Sequence, residues 1–359
     1  MASDDTRVAG SGKAVSIDPP LVSIIIVNFN GARFLPACLD SVGRLAYTKR
    51  EVVLVDNGST DESITVAQSY PWVKLVRSDR NLGFAGGNNL GLSVCSGELV
   101  LLLNNDTIVT PDFLEPLCGY LSKHQGVGIV QGKMVLPNFG GGLDVCGSFL
   151  TPLGVPYHYG IYKPDGPQYE RSYAVFSGKG ACLMFRRQII PDVGGFLFDE
   201  DFFCYYEESD FCHRAWLAGW ETHFVNTPPI QHLMGGTAGG PHAAFVLKHY
   251  LRNMAFSLLS NLSFPARLRI LPLFFCLLVL GWVASALSLN RGKFSAHWGA
   301  VTCYVASYGR IRARRKLIRN IRKRSDSSIL KVVMRRPRIE YFVKTFTGRL
   351  REYVDEDLE

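Results

Sequence analysis

Four short apolar runs constrain this chain more than any other feature: LVSIIIVNF at residues 21–29, EVVLVDN at 51–57, WVKLVR at 72–77 and ELVLLLN at 98–104. All are rich in Val, Ile and Leu, and helix-like segments such as 33–44 and 61–69 separate them. Unbroken apolar strands alternating with helices are the mark of a mostly parallel sheet covered on both faces, so the N-terminal third is predicted to be α/β and Rossmann-like. Ligands of such sheets lie beyond the carboxyl ends of the strands. Here those ends are polar: Asn28 and Asn30 follow the first strand, Asp56 and Asn57 the second, and Asn104, Asn105 and Asp106 the fourth.

The second strand runs into Ser59-Thr60-Asp61-Glu62, whose capping-box spacing predicts a helix start, with free N–H groups near that rim. The segment NLGFAGGNNLG (81–91) reads either as an ordinary loop or as backbone that a ligand approaches closely. No G-x-G-x-x-G follows the first strand, which excludes a dinucleotide fingerprint. Strands are also expected within 127–136 and 181–185. In FDEDFFCYYEESDFCHRAWLAGW (198–220) a helix should begin near Glu207 to Ser209, with Asp210 and Arg214 on one face and Gly219 ending it. Carboxylates at that start would face the positive end of the helix dipole.

A third zone begins near residue 241. Residues 270–289 are uncharged and mostly apolar, enough to cross a hydrocarbon core of about 30 Å. Arg267 and Arg269 precede this run, and a weaker apolar stretch, 294–309, leads into a basic block. From Arg310 to Arg338 there are thirteen Lys or Arg against one acid, Asp326, within a chain whose net charge is +8; the remainder is therefore mildly acidic. A single crossing would put one basic flank on the wrong side, whereas a shallow hairpin or in-plane helices keep both at the cytoplasmic face. A buried helix pair in a soluble domain is the bland alternative. The block suits anionic lipid; with few aromatics interleaved for stacking, no nucleic acid is expected.

The resulting layout is a disordered N-terminus over 1–20, a catalytic α/β domain over 21–240, a membrane-associated helical region over 241–309 and a basic C-terminal tail over 310–359. Hydrophobic residues at 47% and charged residues at 19% fit a packed core and exclude a largely disordered chain. Nine scattered cysteines without a C-x-x-C pair argue against a zinc site or disulfide framework and for a reducing compartment. The first twenty residues lack the pattern of a secretory signal.

Sugar transfer from a nucleoside diphosphate requires a cation at the leaving diphosphate, a general base for the acceptor hydroxyl and a pocket for base and ribose. Asp106, then Glu207, Glu208 and Asp210, then His232 in PPIQHLMGGT offer such parts in order. Singly, each is more often a cap, a solvated helix start or a structural imidazole. Together VSIIIVNFNG, VVLVDNGSTDES, NLGFAGGNN, LLLNND and YYEESDFCHRAWLAGW resemble the successive motifs of family 2 glycosyltransferases with the GT-A fold, particularly the rhamnosyltransferase-like branch, over residues 21–255.

The resemblance implies an inverting, metal-dependent transferase whose donor is a dTDP-, UDP- or GDP-sugar. It assigns Val27, Asn28, Asn30, Asp56 and Asn57 to the nucleotide, and adds Gly86, Gly87, Asn89 and Asn105 to the donor pocket. It sets the family's D-x-D motif on Asn104-Asn105-Asp106, where only Asp106 is a carboxylate, and makes His232 a second ligand for Mg²⁺ or Mn²⁺. The catalytic acidic pair falls on Glu207-Glu208, with Glu208 in the base position and Glu207 the alternative, while Asp210 and Arg214 fix the helix. The Q-x-x-R-W motif of processive synthases is missing, so transfer of one or a few residues is expected, with rhamnose the sugar that the branch suggests. Membrane association adds the expectation of a lipid-linked glycan acceptor in cell-surface polysaccharide synthesis. The rival reading is a non-catalytic nucleotide-sugar-binding subunit of a glycan-assembly complex, which the Asn104-Asn105 departure favours.

Overall fold

In the computed structural model, β1 (Val22–Asn28), β2 (Arg50–Asp56), β3 (Val73–Arg77) and β4 (Leu99–Asn104) lie parallel in the order β4-β1-β2-β3. Each strand matches a predicted run to within a residue at either end. The structure describes residues 18–234, 243–346, 349–356 and 358; the N-terminus expected to be disordered lies outside them up to residue 17. Strand side chains alternate between two buried layers. Val22, Ile24 and Ile26 pack with α1 (Leu35–Gly43), α2 (Ser63–Gln68) and α4 (Leu114–Lys123). Ile25, Val53 and Val55 pack on the other face with α3 (Gly83–Val94), α5 (Ile189–Asp192) and α6 (Glu207–Leu217). Covered on both faces, these strands have no polar side, which is why they read as continuous apolar runs.

Four short strands, β5 (Thr107–Ile108), β7 (Met134–Leu136), β8 (Gly142–Leu143) and β14 (Ile230–His232), form a second sheet in the order β5-β14-β7-β8. The main sheet continues past β4 through β12 (Cys182–Arg186), β6 (Val127–Gln131), β13 (Glu221–Phe224) and β11 (Tyr173–Ala174), giving eight strands, while β9 (Ser148–Leu150) and β10 (Pro156–His158) make a separate hairpin. β12 is antiparallel to both β4 and β6, so the sheet is mixed.

Two local expectations are corrected. The Gly-rich segment 81–91 is not a loop: most of it is α3, and its glycines serve helix-to-backbone packing. A Cβ on Gly87 would stand 2.6 Å from Val27 Cγ1, and one on Gly83, whose φ is +72°, would stand 2.2 Å from the Phe203 carbonyl oxygen. No capping box opens α2 either. Asp61 accepts from Ser63 N and from Ala32 N, and Ser59 accepts from Asn30 N, so this tetrapeptide ties the loop after β2 to the loop after β1.

The C-terminal part is helical: α7 (Ala243–Asn261), α8 (Phe264–Leu287), α9 (Arg291–Val301), α10 (Cys303–Ala306), α11 (Tyr308–Ile321), α12 (Asp326–Val333) and α13 (Ile339–Phe346). The apolar run belongs to α8, a 24-residue helix about 36 Å long at 1.5 Å per residue. The chain turns at 288–290, Asn290 caps α9 by accepting from Lys293 N, and α9 returns between α8 and α7. The described residues from 310 onward do not trail away as a basic tail. α11 turns Ile311, Arg314 and Ile318 inward, and Asp355 accepts hydrogen bonds from the hydroxyls of Tyr157 and Tyr169 and from Gly160 N. A count of charge along the chain conceals this, because the acids that meet Arg310, Arg314 and Arg324 are Asp199, Asp210 and Glu221, more than a hundred residues away.

Candidate active site

The carboxyl ends of β1, β2 and β4 gather Val27, Asn28, Asn30, Asp56 and Asn105 on one rim. Asn28 Oδ1 accepts from Asn105 Nδ2 at 2.7 Å, and Asn28 Nδ2 donates to Ser59 Oγ at 3.2 Å. Asn30, with φ of +50°, accepts from Thr60 N at 2.8 Å. Asp56 is buried, and its Oδ1 has no hydrogen-bond partner among the described residues. A buried acceptor of this kind is costly until a donor meets it, which suits a ligand N–H.

The other predicted nucleotide residues are placed differently. Asn57 donates to the Gly83 carbonyl and accepts from Leu82 N, pinning the start of α3. Gly86 and Gly87 are buried in that helix. Asn89 faces away from the rim: it donates to the Phe198 carbonyl, accepts from Phe198 N, and lines a cleft of about 500 Å³ with Phe196, Asp199 and Arg314. In α3, Gly87 faces Val27 of β1, Gly86 faces the Leu82 side chain at the start of the same helix, and the amides of Asn88 and Asn89 meet the Phe84 and Phe198 carbonyls.

Asp106 and His232 meet although 126 positions separate them. β14 pairs antiparallel with β5, setting His232 opposite Thr107, and Leu233 N donates to the Asp106 carbonyl at 2.9 Å. His232 Nε2 lies 3.5 Å from Asp106 Oδ1, and His232 Nδ1 lies 2.7 Å from Asp144 Oδ2. The tautomer that donates Nδ1–H to Asp144 would free Nε2 to bind a cation beside Asp106, the arrangement by which an outer carboxylate orients a metal-binding imidazole. Burial alone would raise the Asp144 carboxyl. Lys179, 2.6 Å away, and His232 outweigh it and hold Asp144 well below the usual carboxylate range. Sequence reasoning missed both Asp144 and Lys179. The one available signal was the Gly178-Lys179-Gly180 triplet ahead of β12, whose glycines leave room for Leu183 and Phe84.

Glu207 and Glu208 open α6 behind a strained turn, in which Phe203, Tyr205 and Tyr206 all have φ between +63° and +75°. Non-glycine residues in this region cost about 1–3 kcal/mol each, and such strain is held only where surrounding structure enforces it. Here Asn253 of α7 enforces it, its Nδ2 directed at the carbonyls of Phe202, Cys204 and Tyr205. Glu207 is buried, and its Oε2 lacks a partner among the described residues. Desolvation and the neighbouring Glu208 raise it well above the carboxylate range. Glu208 is only half-buried. Desolvation pushes it up to about 7, with backbone hydrogen bonding and the Lys179 charge opposing. Of the pair, Glu208 is the more exposed and so the one placed to exchange a proton with an acceptor.

Two residues further on, Asp210 sits in a buried charge network. Its Oδ2 accepts from Arg214 Nε (2.9 Å) and Arg314 (3.1 Å), and its Oδ1 from Ser257 Oγ (2.9 Å) and Asn261 Nδ2 (2.8 Å). The Phe196 ring stands 4.3 Å from the Arg214 guanidinium and 4.7 Å from that of Arg314. The predicted Asp210–Arg214 pair is present, extended by residues of α7 and α11.

Residues 23–194 match the family model described as glycosyl transferase family 2, the stretch that carries the rim, Asp106, Asp144 and Lys179. The match to glycosyl transferase family 2 thus covers just under half of the chain. A PGL/p-HBAD biosynthesis glycosyltransferase of Mycobacterium tuberculosis is 33% identical over 171 residues, 44% of this chain and 66% of that protein. The uncharacterized protein y4gI of Sinorhizobium fredii is 27% identical over 239 residues, 61% of this chain and 25% of that one. The chain thus spans between a quarter and just under two thirds of these relatives. The crystal structure of GalNAc-T7 with UDP, GalNAc and Mn²⁺ superposes with a TM-score of 0.62 at 15% identity, over 92% of this chain and 58% of its own. The fold of the transferase domain is therefore GT-A, as its motifs led us to expect.

The matched segment contributes only part of the site, since Glu207, Glu208 and His232 lie beyond residue 194. Among the described residues, no three His, Cys, Asp or Glu side chains form a ready metal cage. Asp106 and His232 nevertheless fit Mg²⁺ or Mn²⁺: a hard cation of this size is held by few protein ligands and completes its shell with water and substrate phosphate oxygens. A pH dependence follows from Glu208. Activity that needs its carboxylate should rise with pH along a limb centred near 7, well above the ordinary carboxylate range, in a kcat/KM profile. Because the folded chain holds this proton more tightly than the unfolded chain, the group's contribution to stability is full in acid and is lost as pH climbs through 7.

Proposed function

We propose that this chain transfers a sugar from a nucleoside diphosphate sugar to the hydroxyl of a lipid-linked glycan, with inversion and without processive chain growth, in cell-surface polysaccharide synthesis. The observation that carries this reading is Glu208, a half-buried carboxylate poised to titrate near neutrality at the start of α6. Its field partner Lys179 reaches through Asp144 to the His232–Asp106 pair. Polar contacts thus join Lys179, Asp144, His232 and Asp106, and the Lys179 charge acts on Glu208 across space.

In the reaction, the rim formed by Val27, Asn28, Asn30, Asp56 and Asn105 binds base and ribose. Asp106 and His232 would hold the divalent cation, which when bound offsets charge on the departing diphosphate. Glu208 accepts the proton of the acceptor hydroxyl while that oxygen attacks the anomeric carbon and the bond to diphosphate breaks. One displacement inverts the configuration. Rhamnose is our proposed sugar on the motif resemblance alone.

The same reading places the enzyme on the cytoplasmic membrane face. α8 exposes Leu268, Leu273, Leu280, Val283 and Leu287 along one side, and it is the single helix among the described residues long and apolar enough to span. The returning helix α9 exposes Arg291 and Lys293, which supports an in-plane hairpin over a crossing pair.

The test is a panel of dTDP-, UDP- and GDP-sugars offered with membrane lipids and Mn²⁺ or Mg²⁺, following nucleoside diphosphate release and sugar on lipid. One nucleotide class should support both products, and a chelator should stop them. Binding of nucleotide with no release from any donor would sink the proposal in favour of a binding subunit.

A further inference from the structure

At one end of the apolar side of α8, two arginines stand among aromatic rings without an acid to neutralise them. Arg267 lies in the first turn of α8, its guanidinium 5.9 Å from the Phe264 ring; Arg315 of α11 lies 6.0 Å from the Tyr304 ring and donates from Nε to the Leu259 carbonyl at 2.9 Å. Among the described residues neither forms an ion pair, whereas Arg310, Arg314, Arg322 and Arg324 of the same block all do. Arg267 Nε is buried with no hydrogen-bond partner among those residues. The charge that acts on Arg267 most strongly is Arg315, of the same sign. Asp326, the acid it also senses, is already taken by Arg322 and by Ser263 N.

Two like charges on either side of the α7–α8 turn, Arg315 on the Leu259 carbonyl and Arg267 in the first turn of α8 with an unspent buried donor, are what a doubly acceptor-bearing anion stabilises. The surroundings say which anion. Phe264 (65% exposed), Leu268 (63%), Val305 (80%) and Tyr308 (51%) put apolar and aromatic surface beside the pair, and the exposed side of α8 continues from there to Leu287 and Leu289. Aromatic rings and arginines at the end of an apolar face match the headgroup level of a bilayer.

We infer that Arg267 and Arg315 form a phosphate site for the headgroup of an anionic phospholipid whose acyl chains lie against α8. This inference rests on the in-plane membrane reading above and sharpens it from a diffuse basic surface to one pair of residues.

Flotation of the full chain with phosphatidylcholine vesicles, and with vesicles containing an equal share of phosphatidylglycerol, tests both levels. The native chain should float with the mixed vesicles. Changing Arg267→Gln and Arg315→Gln together should weaken that binding roughly thirtyfold, the effect of two basic residues at an anionic surface. Changing the outward Arg312→Gln and Arg319→Gln removes the same charge elsewhere and should cost clearly less. Equal losses in the two double variants would overturn the site, as would full flotation of the Arg267/Arg315 variant. If the native chain fails to float at all, the membrane reading itself falls. Inorganic phosphate that raises the melting temperature of the native chain through these arginines, and displaces it from mixed vesicles at equal ionic strength, would instead assign the pair to a soluble phosphate. Matching melting curves in phosphate-free buffer keep the comparison free of unfolding.

Discussion

Glu208→Gln should leave nucleotide binding unchanged and slow transfer by about 10²–10⁴-fold, the usual cost of removing a positioned general base. The amide keeps the shape of the side chain at the mouth of α6 but cannot take the acceptor proton. Nucleotide affinity, read by calorimetry, should not move, because the rim around Asn28, Asp56 and Asn105 belongs to the ends of β1, β2 and β4 and not to α6. Glu207→Gln makes the control. Glu207 is buried and its carboxyl is raised well above the ordinary range, which disfavours its charged form, so the neutral amide should retain most of the rate. If Glu207→Gln silenced the enzyme and Glu208→Gln did not, the base would be the other member of the pair.

Asp210→Asn should produce the largest loss of stability of any single change near the site, about 3–5 kcal/mol, as expected when one partner of a buried charge network is removed. Arg214 is fully buried and Arg314 nearly so, and with Asp210 neutral the two guanidinium groups would face each other beside Phe196 with Asp199 as the remaining acid. Chemical denaturation should register the loss as a lower midpoint. Adding Arg314→Met to Asp210→Asn should recover part of it, since the second change removes the uncompensated charge. A single variant as stable as the native chain would show that the network adds no net stability.

What could be read in the sequence follows from how local each signal is. The first four strands and the start of α6 were legible because apolar continuity and helix spacing act over a few residues, and the positions of Asp106, just past β4, and Glu208, in the first turn of α6, followed from those elements. The Asp210–Arg214 pair is an i, i+4 contact and was equally plain. Asp144, Lys179, Asn253 and Arg314 were not, because their roles come from partners 35 to 104 positions away. The glycines at 86 and 87 misled for a related reason: a glycine that admits a neighbouring side chain, Leu82 at 86 and Val27 at 87, and one that admits a ligand look the same until the neighbour is known. The basic block misled because charge counted along the chain cannot show that Arg310 and Arg314 are spent on Asp199 and Asp210.

The clasp of Asn253, Ser257, Asn261 and Arg314 on the turn and first residues of α6 bears on how the chain can be trimmed. A cut at residue 240, where the α/β domain stops by appearance, would discard every one of those four side chains. The strained turn before Glu207 would then have nothing to hold its carbonyls, and Asp210 and Arg214 would be opened to solvent. A shortened soluble enzyme has to keep α7 and α11 and seek its solubility in the outward leucines of α8.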